Sequence, residues 1–313
     1  MDISSALSLL QTAAELGLIS SLTVLSLFLS YSMLNVCDLS TDGCFTLGAV
    51  VGAMVAIGGH PFLSIPAAMA AGVLSGFVTA FLQTKMGIDS LLAGIIVNTG
   101  LYSINIAVMG NTSLVNMTKA ETIFTKVKSA LDGTPLSGQY KLIVAAAAVI
   151  LVVLFLSFFL KTNLGLALRA TGNNPDMVRS SSINTSKITI IGLCISNSFT
   201  ALSGCLLAQS QKSANIDMGT GMVTIALASL LIGGILFSRR NAIAFRAVCA
   251  VLGAFIFRLV YTAALRFNMP AYMLKLVSSI IVVIAIAAPY LKKKLPVLKR
   301  KLELRKGKET TTV

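Results

Sequence analysis

The sequence predicts an all-α polytopic membrane protein with about nine transmembrane helices (8 to 10). Three observations lead there. Hydrophobic residues make up 56% of the chain and charged ones 12%, with a mean hydropathy of +0.87, far from the balance of a water-soluble domain. Several apolar runs reach the roughly 20 residues that an α-helix needs to cross about 30 Å of hydrocarbon. The runs are continuous rather than alternating, so backbone groups are satisfied within helices and not across a barrel wall.

Taken in order, residues 1–15 carry no basic residue and no cleavage-site pattern, which argues against a removable signal and for an interfacial N-terminal helix. Spans are expected at 16–34, 44–59, 63–83 and 91–110, followed by an extracellular loop over 111–140. A central connecting helix over 141–160 leads to a polar loop over 161–187. Spans at 188–209, 219–237, 244–264 and 270–290 and a basic tail over 291–313 complete the chain. The second span is short and follows the turn-rich LSTDG.

Short cytoplasmic loops hold the excess of Lys and Arg. With a cytoplasmic C-terminus, the inner set is Lys85, Lys161, Arg169, Arg179, Lys187, Arg239, Arg240, Arg246 and the basic residues from Lys292 to Lys308. The outer set is smaller: Lys119, Lys126, Lys128, Lys141, Lys212 and Arg266. The loop 161–187 and the C-terminus are therefore expected in the cytoplasm. The net charge of +14 comes in large part from the tail, which reads as a topology determinant at an anionic leaflet. No groove-reading or aromatic motif accompanies it, so nucleic acid is not implied.

Cys37, Cys44, Cys194, Cys205 and Cys249 lack paired ligand spacing, and His60 sits alone in GGHPF, so neither a metal site nor a disulfide framework is implied. No phosphate loop, HExxH or nucleophile-elbow triad is present in the sequence. The chain is not expected to be an enzyme. Two classes remain: a secondary carrier of a small polar solute driven by ion gradients, and a membrane subunit driven by a separate ATPase.

DLSTDGCFTLGA from Asp38 resembles DMGTGMVTIALA from Asp217, and MGIDSLLAGIIV from Met86 resembles MPAYMLKLVSSIIV from Met269, at nearly equal separations. In this topology each pair lies on opposite sides, which predicts two inverted repeats around the central helix, with the solute route at their interface. Asp38, Thr41 and Asp42 read either as groups of that route or as helix punctuation ahead of an apolar run. Asn98, Tyr102 and Asn105 share one helical face, and Ser196, Asn197, Thr200 and Ser203 lie in the sixth span. Both sets read either as pathway or as interhelical hydrogen-bond glue.

Within 161–187, Asn173 and Asn174 are good N-caps, Pro175 suits the first helical position and Asp176 complements the helix dipole, so a short helix is predicted through Arg179. LGLALRATGNNPDMVRSSSIN resembles the cytoplasmic coupling segment of ABC importer permeases of the branched-chain amino acid and ribose type, whose pattern is approximately LGxxLRAxGxNPxxARxxGI. DLSTDGCFTLGA, LLAGIIVNTGLYSINIAVMG and MPAYMLKLVSSIIVV are similar to the same family, in a smaller branch associated with amino acids, aromatic ones included. The resemblance implies ATPase coupling through Arg169, Gly172, Asn173, Asn174, Pro175, Asp176 and Arg179. It also implies a second permease copy as a homodimer, cytoplasmic ATPase subunits that hold ATP and Mg, and an extracellular or lipid-anchored solute-binding protein. No cofactor is expected on this chain itself. The alternative for Arg169, weaker than coupling, is a positive-inside anchor only. Val178 stands where the family has Ala, and Ser182 where it has Gly, which leaves open how the chain leaves the short helix.

Overall fold

The structure, a computed structural model, describes residues 3–132, 137–237 and 243–266, together with part of 273–287. Seven helices there are long and apolar enough to cross a membrane, and Thr41–Ile57 is apolar but shorter. Much of the ninth expected span, 270–290, and all of the basic tail lie outside the described residues.

Helix α1 (Ile3–Leu27) continues through a π-helical turn (Phe28–Met33), and its apolar spanning stretch is Leu9–Met33. The boundary placed between an N-terminal interfacial helix over 1–15 and a span from 16 has no counterpart in the backbone: residues 3–27 form one continuous helix. Nothing around position 15 can end a helix, because the stretch has no proline and the lone Gly17 costs only about 1 kcal/mol. Next come α2 (Thr41–Ile57), α3 (Ser64–Thr84) and α4 (Ser90–Val108), the last capped by the Asp89 carboxylate on the Leu91 N–H. The expected loop contains a short strand, β1 (Leu114–Asn116), and α5 (Ile123–Ala130), which Thr122 caps. Helix α6 (Tyr140–Phe159) leads to α7 (Asn163–Asn173) and α8 (Pro175–Ser180). Helix α9 (Thr185–Gln211), β2 (Ser213–Asn215), α10 (Met222–Phe237) and α11 (Ile243–Arg266) follow. β1 and β2 pair antiparallel, Val115 opposite Ala214.

Helix α9 is the centre of the molecule. Small residues let its neighbours approach backbone to backbone: a Cβ on Gly48 of α2 would overlap Ala201, and one on Gly72 of α3 would overlap the backbone of Asn197. On its other side α9 meets α1 through buried hydroxyls. Ser26 bonds the Ser196 hydroxyl at 2.8 Å and receives the Thr200 hydroxyl at 2.7 Å, and Ser203 donates to the Ile19 carbonyl at 2.7 Å. The apolar core between α1, α6 and α9 is filled by Leu22, Phe28, Leu156, Leu193 and Leu206 among others.

These contacts also give the directions of the helices. Pairing of 26 with 196 and of 19 with 203 makes α1 and α9 antiparallel. Cys44 against Asn197 and Gly52 against Cys205 make α2 parallel to α9. Gly17 lies against Phe255, and Arg246 donates to Ser32, so α11 opposes α1; Gly233 against Cys249 and Gly253 against Ser229 make α10 oppose α11. Helix α10 therefore runs with α1 and against α2.

Between α1 and α2, residues 34–40 cross the interior without regular structure. Leu34, Asp38 and Ser40 are buried, and α2 begins beside Asn197, which lies about 18 Å along α9 from its first residue. Helix α2 is accordingly a partial span. Irregular backbone at that depth is tolerated where protein surrounds it, as at Leu34, Asp38 and Ser40.

Candidate functional site

The first turn of α2 meets the first turn of α10. Asp42 lies in the opening turn of α2, and its carboxylate accepts the backbone N–H groups of Gly221 at 2.9 Å and Val223 at 2.8 Å. The Thr46 hydroxyl accepts from Gly219 N–H at 3.2 Å, and Gly219 packs so closely on the Asp42 carbonyl that a Cβ there would overlap it. Two oppositely directed helices thus present their N-termini to one point inside the protein. The positive ends of both dipoles converge there, and Asp42 supplies a negative charge to each.

A cavity of about 390 Å³ opens at this junction. Of the residues singled out by sequence, Asp42, Asn98, Tyr102 and Asn105 line it. The helical spacing on α4 puts the last three on one face, and the side chain of Asn105 donates to the Gly43 carbonyl at 3.2 Å. Sequence reasoning missed Thr46, Thr99, Ser103, Asp217 and Thr220, which line it too. The likeness of DMGTG to DLSTD was the available signal for Asp217 and Thr220.

Asp38, Thr41 and Asn197 are placed elsewhere. Asp38 is 1% exposed, and its Oδ1 accepts from the Ser40 N–H at 2.8 Å and the Ser40 hydroxyl at 2.6 Å. Its Oδ2 accepts from Asn197 Nδ2 at 2.8 Å, and the Thr41 hydroxyl donates to the Asp38 carbonyl at 2.9 Å. These three form a buried clasp that holds segment 34–40 to α9. Ser196, Thr200 and Ser203 act as interhelical glue. Among the described residues, no group of three or more His, Cys, Asp or Glu side chains comes together to hold a metal.

The polar island forms two helices rather than one. Thr162 caps α7, accepting from Gly165 N–H at 3.3 Å, and Asn173 closes that helix instead of capping the next. Asn174 is the N-cap of α8: its Oδ1 accepts from Asp176 and Met177 N–H, each at 3.1 Å, with Pro175 at the first helical position. Val178 is buried toward α9, while Asp176, Met177 and Arg179 face outward, Met177 being 68% exposed. Arg179 lies 3.8 Å from Asp176 and donates through Nε to the Thr185 hydroxyl at 3.2 Å. Arg169 is half-buried on α7. Gly172 faces inward against Met33 and Leu34 at the end of α1, where a side chain has no room. It sets the distance of α7 from the end of α1. Ser182 leaves α8 in the left-handed region, φ 61°, a conformation that L-residues adopt only at a cost.

A family model described as the branched-chain amino acid transport system / permease component matches residues 9–286. A tyrosine transport system permease protein of Clostridioides difficile (strain R20291) is 33% identical over 272 residues, covering 87% of this chain and 88% of that relative. The ribose import permease protein RbsC of Escherichia coli (strain K12) is 26% identical over 257 residues, covering 80% and 75%. A probable branched-chain amino acid transport permease protein LivH of Methanocaldococcus jannaschii is 26% identical over 239 residues, covering 68% and 70%. No solved structure matches the chain.

Proposed function

The chain belongs to the branched-chain amino acid transport system permease family, a family of multi-pass membrane transport subunits, and we propose that it is the permease of an ABC importer for an amino acid in the cytoplasmic membrane. In this reading separate ATPase subunits bind ATP and Mg and dock on α8 from the cytoplasm. A solute-binding protein delivers the solute on the other side, and a second copy of the chain completes a homodimer. The two halves of the chain are inverted repeats around α6, and alternating access moves them about the junction of α2 and α10.

The observation that carries the proposal is α8. A short helix with a complete N-cap, a buried Val178 and outward Asp176, Met177 and Arg179 is a rigid ledge on the surface, suited to receiving force from another protein. The amino acid assignment rests on the tyrosine permease relative, which is more similar to this chain (33% identical) than the ribose permease (26%). The carrier alternative has less support: among the described residues, the buried Asp38 is tied into a structural clasp.

Arg179→Glu tests the docking role. Co-purification of the ATPase subunit and solute uptake are both expected to fall, by about tenfold for an interface charge whose reversal costs some 1.4 kcal/mol. If both are unchanged, Arg179 does not dock the ATPase. Expressed alone, the chain is expected to show no uptake until an ATPase subunit is added, whereas a carrier would work alone and stop when ion gradients collapse.

A further inference from the structure

Opposed helix N-termini at membrane depth ordinarily suit the anionic group of a solute. Here that place is taken by the protein's own Asp42, each of whose oxygens accepts an N–H from the start of α10 while the carboxylate sits in the first turn of α2. What remains on the cavity wall is a carboxylate without a basic neighbour and an unpaired amide oxygen. Asp217 faces the cavity with no Lys, Arg or His among the described lining residues to balance it. Asn105, 1% exposed, spends its amide N–H on Gly43, and its Oδ1 has no hydrogen-bond partner. A buried acceptor without a donor costs about 1–3 kcal/mol, which a donor brought by a ligand would recover.

We propose that this cavity receives the protonated amine of the solute, with Asp217, Asp42 and Asn105 Oδ1 as its acceptors. The inference rests on reading the cavity as part of the solute route. A primary ammonium has three N–H donors and one positive charge, matching two carboxylates and an amide oxygen. A neutral sugar hydroxyl would leave the charge of Asp217 unanswered, and a carboxylate would be repelled.

The test places a cysteine at Ser103, an exposed cavity residue, in a chain whose five native cysteines are replaced. Should that background not fold, only Cys37 and Cys194 are replaced, the other three being buried. Ser103→Cys is labelled with aminoethyl, trimethylammonioethyl and sulfonatoethyl methanethiosulfonates, each rate divided by that at Thr118→Cys, an exposed loop position. The aminoethyl reagent is expected to react about tenfold faster than the sulfonate, with the trimethylammonium, which has no N–H, between them. Asp217→Asn is expected to bring the three rates together, and methylammonium chloride to slow labelling more than sodium chloride at equal ionic strength. Equal or anion-favouring rates, or rates unmoved by Asp217→Asn, overturn the proposal while leaving the route reading intact. Slowing by sodium equal to that by methylammonium would assign the site to an inorganic cation and also overturn it. If no reagent reaches position 103 while position 118 labels, the route reading falls and the proposal with it.

Discussion

Asp42 is where one side chain joins two halves of the chain. It bonds the opening N–H groups of α10 from the first turn of α2. Loss of a capping acceptor costs about 0.5–2 kcal/mol. Asp42→Ala is therefore expected to lower the melting temperature of the purified protein and to abolish uptake, with Asp42→Asn, which keeps one acceptor oxygen, between it and the native chain. An unchanged melting curve for Asp42→Ala would show that the junction holds without the cap. The sequence made Asp42 visible as a polar residue beside an apolar run, but its partner lies 179 positions away along the chain. Spacing on α4 was enough to group Asn98, Tyr102 and Asn105, because helical periodicity is local. Asp38 and Asn197 gave no sign in the sequence that they bond each other rather than line the cavity, because that depends on which atoms meet between segment 34–40 and α9.

At the scale of elements, α8 was legible because its determinants are contiguous: an Asn cap, a proline at the first position and an acid in the first turn. Helix α7 was not read, since its cap Thr162 follows directly on the apolar run of α6 and its glycines weaken the helical pattern. Those glycines have tertiary reasons, Gly165 lying against Phe159 and Leu160 and Gly172 against Met33 and Leu34. The turn out of α8 carries its own prediction. Ser182 at φ 61° holds a conformation that costs an L-residue about 1–2 kcal/mol, and glycine would remove that cost at the expense of some unfolded-state entropy. Ser182→Gly is expected to raise thermal stability by up to about 1 kcal/mol without weakening ATPase co-purification. A lower melting temperature would show that the serine side chain compensates for the backbone strain.

For the molecule as a whole, close packing of α2 on α9 decides whether the partial span can stand inside the bundle. A side chain at Gly48 would overlap the Ala201 backbone, whereas at Gly100 on α4 a Cβ meets nothing within 4 Å. Overpacking typically costs about 1–3 kcal/mol, and more where the obstacle is backbone. Gly48→Leu is expected to prevent recovery of a monodisperse folded protein in detergent, while Gly100→Leu is tolerated. Equal recovery of both would mean that α2 can move off α9 without loss.

The sequence by itself determined the membrane class, the order of the long helices, the short second span and the cap of α8, because hydrophobic runs, span length and capping residues act over a few turns at most. It determined neither the single helix through position 15 nor the side on which each polar group falls. Only the tertiary structure decided that Asp38, Thr41 and Asn197 close a buried clasp while Asp42 and Asp217 share a cavity. The physical reason is that hydrogen bonds between helices, and the head-to-head meeting of α2 with α10, depend on the directions in which distant helices pack.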